Sequence, residues 1–301
     1  MVHGQLRAII ILRQETMRTF VLTLVAFALS GVLLDAWYSQ VRADDQPFLT
    51  LDATDIEPEL ANELEQNFTW TSGKTGQSFD AIEGETEFEY GLSDQIQLAA
   101  AAEYDWTRAR DHRVPGLPAI SGTAFDAIRA EMIYQAMNVY FDPLGVGLLV
   151  SPGVGRNSRN LETKLLLQKN FINDRLRAVV NLGAEIGTER EDGAWSDVSA
   201  LTFDAGIAYN ITWNFSAALE FNVEHDFSGL LLNSRAAPTT TSFYVGPTIQ
   251  YVTAPWKVTL GAQAQLPWAS DATHTPGSLD NGFLPDAERF RVMLRITRSA
   301  L

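Results

Sequence analysis

The sequence predicts an all-β fold, a closed antiparallel transmembrane β-barrel of about twelve strands. Three observations lead there. Twelve segments between Glu59 and Ile296 alternate polar with apolar residues. The connections between them alternate short with long, and aromatic residues gather at segment ends rather than at segment middles.

Residues 1–43 read as a signal peptide with Met17 as a second candidate start. Met17-Arg18-Thr19 precedes an apolar run from Phe20 to Leu34, and Val41 and Ala43, followed by Asp44-Asp45, form a cleavage site. That run is shorter than the ~20 residues a spanning helix needs. No later apolar run approaches that length, which excludes a helical membrane protein. Residues 44–58 are acidic and aperiodic and are expected to be a periplasmic lead-in to a barrel over 59–301.

The first segment sets Leu60, Asn62, Leu64, Gln66, Phe68 and Trp70 against Ala61, Glu63, Glu65 and Asn67. The next two are the clearest. Glu83, Glu85, Glu87 and Glu89 alternate with Ile82, Gly84, Thr86, Phe88 and Tyr90. A turn at 91–95 follows, and the alternation resumes with Ile96, Leu98, Ala100, Ala102, Tyr104 and Trp106 against Gln97, Glu103 and Asp105. Side chains on a strand switch face at every residue, so this is a hairpin with one charged and one apolar face. The fourth segment opposes Ile128, Ala130, Met132 and Tyr134 to Arg129, Glu131 and Gln135; the fifth, 146–154, is short and carries small residues. In the sixth and seventh, Leu161 to Leu167 and Leu176 to Ile186 face away from Glu162, Lys164, Gln168, Arg177, Asn181 and Glu185. The eighth to eleventh repeat the pattern around Phe203, Leu219, Ile249 and Leu260. The last places Phe290, Val292, Leu294 and Ile296 against Arg289, Arg291 and Arg295.

Short connections are expected at 91–95, 138–145, 172–175, 210–214 and 252–255, and long ones at 107–124, 187–198, 225–241 and 267–288. Short turns at one end and long loops at the other are the habit of barrels of the bacterial outer membrane. Tyr140, Phe141, Tyr209, Trp213 and Tyr251 would form one aromatic girdle, and Trp70, Phe125, Trp268 and Phe290 the other. In lipid an open sheet edge leaves backbone groups unpaired at several kcal/mol each, so the sheet must close. A soluble sandwich or lipocalin-like barrel is the competing fold.

Removing residues 1–43 leaves 18 basic and 35 acidic residues, a net charge of about −17. Such a surface repels nucleic acid. With no cysteine, the chain has neither disulfide framework nor thiolate chemistry. The expected partners are outer-membrane lipid, the barrel assembly machinery and a small-molecule solute.

Glu83-Gly-Glu-Thr-Glu-Phe-Glu-Tyr-Gly-Leu-Ser-Asp-Gln-Ile-Gln-Leu resembles the early hairpin of the outer-membrane porins grouped with the meta-pathway phenol-degradation family. Asn138-Val-Tyr-Phe-Asp-Pro-Leu-Gly-Val-Gly and Leu165-Leu-Leu-Gln-Lys-Asn-Phe resemble later parts of such barrels. The resemblance spans about residues 55–300. It implies an outer-membrane location and uptake of small, including aromatic, compounds, and it carries over no catalytic residue. One departure is the end of the chain, Arg298-Ser299-Ala300-Leu301, where such barrels finish on an aromatic residue.

Twelve tilted strands enclose a backbone radius of roughly 12 Å, half of it filled by side chains. The lumen residues therefore decide the chemistry. The acids expected there are Glu63, Glu65, Glu83, Glu85, Glu87, Glu89, Glu103 and Asp105, and the bases are Arg129, Lys164, Arg177, Arg289, Arg291 and Arg295. Closure of the last strand on the first is expected to set Arg289, Arg291 and Arg295 beside Glu63 and Glu65. Two readings coexist: the ion pairs hold the seam and fill the barrel, or the surplus acid makes a cation-attracting constriction. The function expected is a passive pore for small solutes, with an ion-pair-plugged structural barrel as the alternative. A lipid hydrolase comes third, because its chemistry wants serine two residues from histidine on the lipid face. After His225 that place holds Phe227, and Ser228 points the other way. His112 and His274 sit in loops without partners at ligand spacing, so no metal or other cofactor is expected.

Overall fold

The computed structural model describes residues 47–75, 77–111, 119–191, 193–231, 233, 236–272 and 279–300. The signal-peptide reading of residues 1–43, His112 and His274 all lie outside these. Residues 42–301 form one unit.

Thirteen strands account for most of it: β1 (Asn62–Ser72), β2 (Gln77–Ser93), β3 (Ile96–Asp111), β4 (Ile120–Met137), β5 (Gly145–Gly155), β6 (Ser158–Phe171), β7 (Leu176–Glu191), β8 (Ala194–Asn210), β9 (Phe215–Ser228), β10 (Ala237–Thr253), β11 (Trp256–Gln265), the two-residue β12 (Ser270–Asp271) and β13 (Phe290–Ala300). Each long strand pairs antiparallel with its neighbour in sequence. The ring closes through β13, which lies between β11 and β1. Twelve strands thus form a closed barrel, and β12 is a short flap paired to β10 at Thr240 and Thr241.

The end holding the start of β1 and the end of β13 also carries the tight turns at 94–95, 172–175 and 254–255; we call it the turn end. At the opposite, loop end the strands run further than their composition suggests. Residues 187–198, expected as a loop, continue β7 and β8 in register from Gly187↔Val198 to Glu191↔Ala194. Beyond the apolar belt, strand residues facing water on both sides lose their alternation and read as loop.

The outward face is apolar. Leu64, Phe88, Ile128, Leu148, Leu182, Ile207 and Leu219 are all exposed, a run of large apolar side chains around the strands that a monomeric soluble protein rarely leaves open. Tyr140, Phe141, Tyr209, Trp213 and Tyr251 are exposed at the turn end, and Trp70, Phe125, Trp195, Trp268 and Phe290 towards the loop end. Even the outward Gln66 is satisfied locally, accepting from the Thr86 hydroxyl and donating to Tyr104 Oη at 2.7 Å.

The core of the barrel is part of the chain itself. Residues 47–58, expected in the periplasm, instead form a strap inside the barrel, with Phe48, Leu51, Ala53, Thr54 and Glu57 buried. Burying Phe48 and Leu51 is worth roughly 1.5–3 kcal/mol each. They pack on inward Val179, Ala208 and Ala218, while Ile56 packs on Ile133, Leu149 and Leu166. Glycines on the wall make room: a Cβ on Gly206 would lie 2.7 Å from the Phe48 ring, and one on Gly91 would lie 1.9 Å from the Pro58 carbonyl oxygen.

Candidate functional site

The strap makes no secondary structure, so its backbone groups need partners in a space with little water. Inward side chains of several strands supply them. Glu220 accepts the Leu49 and Thr50 N–H groups at 3.1 and 2.8 Å. Asn181 accepts from Asp52 N at 2.9 Å and donates to its carbonyl at 2.8 Å. Gln168 accepts from Thr54 N at 2.8 Å, Gln135 donates to the Thr54 carbonyl at 2.6 Å, and Gln97 accepts from Glu57 N at 2.7 Å. Strap acids meet wall bases: Asp52 lies 3.1 Å from Lys164, and Asp55 lies 3.7 Å from Arg177.

Next to the strap, the wall carries a cavity of 370 Å³. Six acids line it, Asp52, Glu83, Glu85, Glu103, Asp105 and Asp126, against three bases, Arg129, Lys164 and Arg295. A second recess of 330 Å³ on the β7–β10 wall adds Glu185, Glu189, Glu224 and Asp226 with no base among its lining residues.

Arg129 gathers acids of β2 and β3, 2.5 Å from Glu85, 3.3 Å from Glu87 and 3.8 Å from Glu103. Arg295 lies 3.2 Å from Glu65, which also accepts the Thr297 hydroxyl at 3.0 Å, and donates to Asn67 at 2.9 Å. Lys164 also bonds Glu162 on its own strand at 3.0 Å. Glu83 and Asp105 face each other in register at the cavity wall. Glu63 and Glu89 are opposite each other nearer the turn end.

Two of the expected arginine pairings are corrected. The register of β13 on β1 sets Arg291 opposite Thr71, eight positions up from Glu63, so it cannot reach that acid. Arg291 instead pairs with Glu288 at 2.5 Å and lies over the Tyr244 ring, and Arg289 pairs with Asp280. Both hold the long loop-end connection. At Glu288, burial alone would push the carboxyl up, but the charge and hydrogen bond of the Arg291 guanidinium, with a backbone hydrogen bond and the Lys74 charge, together hold it below its ordinary range.

Three charged residues of the lumen were not anticipated from sequence. Lys257, on β11, reaches across β13 to Glu63 at 2.8 Å. Asp126 has outward parity by simple alternation, but a bulge between Glu103↔Ala127 and Tyr104↔Phe125 turns it into the cavity. Asp52 belongs to the strap. His225, on the outer face, bonds Thr241 on the neighbouring strand at 2.6 Å and stacks edge-on with Phe227; no serine or carboxylate joins it among the described contacts.

These elements define a closed twelve-stranded β-barrel with an internal strap and an acid-rich lumen. The chain belongs to the family of unknown function DUF6662, whose model matches residues 40–296. No curated protein sequence matches it. Among solved structures it is similar to an outer-membrane channel from Pseudomonas putida F1, with a TM-score of 0.56 and 14% identity over 87% of this chain and 100% of that one. A NanC porin is similar at a TM-score of 0.52 and 11% identity over 78% of this chain and 98% of that one. At such identities the likeness is one of fold.

Proposed function

We propose that the protein is an outer-membrane pore for small cationic solutes, held closed or nearly closed at rest by residues 47–58. The observation that carries this reading is the charge imbalance in the lumen: six acids against three bases around one cavity, and a second recess lined by four acids. Low-dielectric walls focus the field of such a surplus and raise the local concentration of cations. The strap is held by side-chain hydrogen bonds and a small apolar cluster rather than by strand pairing. It can leave without breaking the barrel's hydrogen-bond ladder. The exposed apolar belt and two aromatic rings support the membrane location, and the two neighbours in fold are described as an outer-membrane channel and a porin.

An uncharged aromatic cargo, which the resemblance to the phenol-degradation porins implies, fits less well. Carboxylates and their basic partners dominate the cavity lining, with Leu49 and Met293 as smaller apolar patches. Burying an apolar ring among the charged groups strands their hydration without replacement.

The specific observation favouring a second reading, a structural barrel without transport, is the strap itself. Planar-bilayer recording separates the two. The full chain in a KCl gradient is expected to give small, stepwise currents whose reversal potential has the sign of cation preference. A chain lacking residues 47–56 should conduct several-fold more. Silence from both proteins at every voltage sinks the pore reading and leaves the structural one.

A further inference from the structure

At the turn end, where the strap meets β1, three carboxylates converge. The Glu57, Glu63 and Glu89 side chains each place an oxygen within 4.8 Å of the others. The barrel's register forces part of this, since Glu63 and Glu89 are directly opposed on β1 and β2, where like charges repel. The next rung shows how such a clash is normally relieved: Glu65 faces Glu87, and each has its own arginine, Arg295 and Arg129. On the Glu63–Glu89 rung Lys257 lies 2.8 Å from Glu63 and the Arg295 charge acts on Glu89, while the strap adds a third acid.

Glu57 is the telling member. It is fully buried, and neither of its carboxylate oxygens has a hydrogen-bond partner among the described residues, although its own N–H is bonded to Gln97. Burying a carboxylate in this way costs several kcal/mol unless something positive sits in front of it. Two ligand oxygens on opposite sides of a Ca²⁺ ion, each about 2.4 Å away, are about 4.8 Å apart, so the cluster has the span of one calcium coordination sphere.

We propose that Glu57, Glu63 and Glu89 form a binding site for a hard divalent cation of the calcium class, which ties the strap to β1 and β2. All donors are carboxylate oxygens, which selects hard ions over zinc or copper. Each Glu63 oxygen already accepts one donor, Ser299 or Lys257, and keeps a second lone pair for the ion. The site is independent of whether the barrel conducts.

A proton is the rival occupant, since burial first, and then Glu63, push the Glu57 carboxyl up to about 7. Calorimetric titration of the full chain in detergent, stripped with EDTA and then given CaCl2, decides between them. One ion per chain is expected, with affinity falling at least tenfold in Glu57→Gln and in Glu89→Gln. Lys257→Gln, which removes a competing cation from the site, is expected to tighten binding by roughly tenfold. A generally misfolded variant cannot produce that gain, and heat-modifiable migration reports barrel formation in each protein. No saturable binding up to about 10 mM, beyond the range of weak extracellular calcium modules, overturns the site. So does binding that Glu57→Gln leaves unchanged.

Discussion

Arg129 shows how a single side chain can set both stability and charge in the lumen. Its guanidinium serves Glu85, Glu87 and Glu103 together, and Glu87 is buried. Removing one partner of a buried pair leaves an unbalanced charge and costs roughly 3–5 kcal/mol. Arg129→Met should therefore lower the urea midpoint of the barrel refolded in lipid vesicles by a cost of about that size. Arg129→Lys should recover only part of it, because an ammonium cannot present the same planar fork of donors. Arg129→Met should also shift the reversal potential further towards cations; an unchanged potential would mean these acids do not face the permeation path. At Glu288 the same logic gives a pH dependence. A carboxyl held below its ordinary value mainly by Arg291 contributes stability that is present above the unfolded carboxylate range. That stability is lost as the pH falls through the depressed value. A carbon-13 NMR titration should find Glu288 titrating below an exposed glutamate in the same chain, and the difference should narrow in Arg291→Gln.

Among the elements, the strap is the one whose removal changes most while breaking least. A leucine at Gly206 puts a side chain where the Phe48 ring lies, since even a Cβ would approach to 2.7 Å. Gly206→Leu is expected to form a normal barrel and to conduct like the chain without residues 47–56; wild-type currents would show that the strap is not the gate. The strands were legible in the sequence because lipid on one side and charge on the other impose a strict period of two. The strap was not, because a segment held by other residues' side chains needs no period of its own. Its trace lay on the wall: Ile133, Leu149, Leu166 and Val179 occupy inward parity among polar neighbours and ask for an apolar partner inside. The acids on β1–β3 followed from alternation alone. Asp126 did not, because a bulge resets parity without marking the sequence, and the partners of Arg289 and Arg291 depend on a register that alternation leaves free.

For the whole molecule, the governing fact is that its two surfaces suit different solvents. An outer belt this apolar should keep the barrel folded only in detergent or lipid; monomeric, folded protein in plain buffer would remove the membrane reading altogether. The inner surface makes a quantitative demand of its own. Its excess acids, on β2–β4 and on β7–β9, lie on facing walls of a lumen roughly 12 Å in backbone radius. At 0.1 M salt the screening length is ~10 Å, so both walls act on an ion anywhere in the bore, whereas at 1 M it is ~3 Å and only an ion touching the wall feels it. The ratio of cation to anion permeability should therefore fall steeply as the KCl concentration rises from 0.1 to 1 M. Neutralising Glu83, Glu103 and Asp126 together should flatten that dependence. A selectivity that ignores salt would place discrimination at a narrow contact point rather than in the field of the lumen, and would shift attention from these acids to the strap.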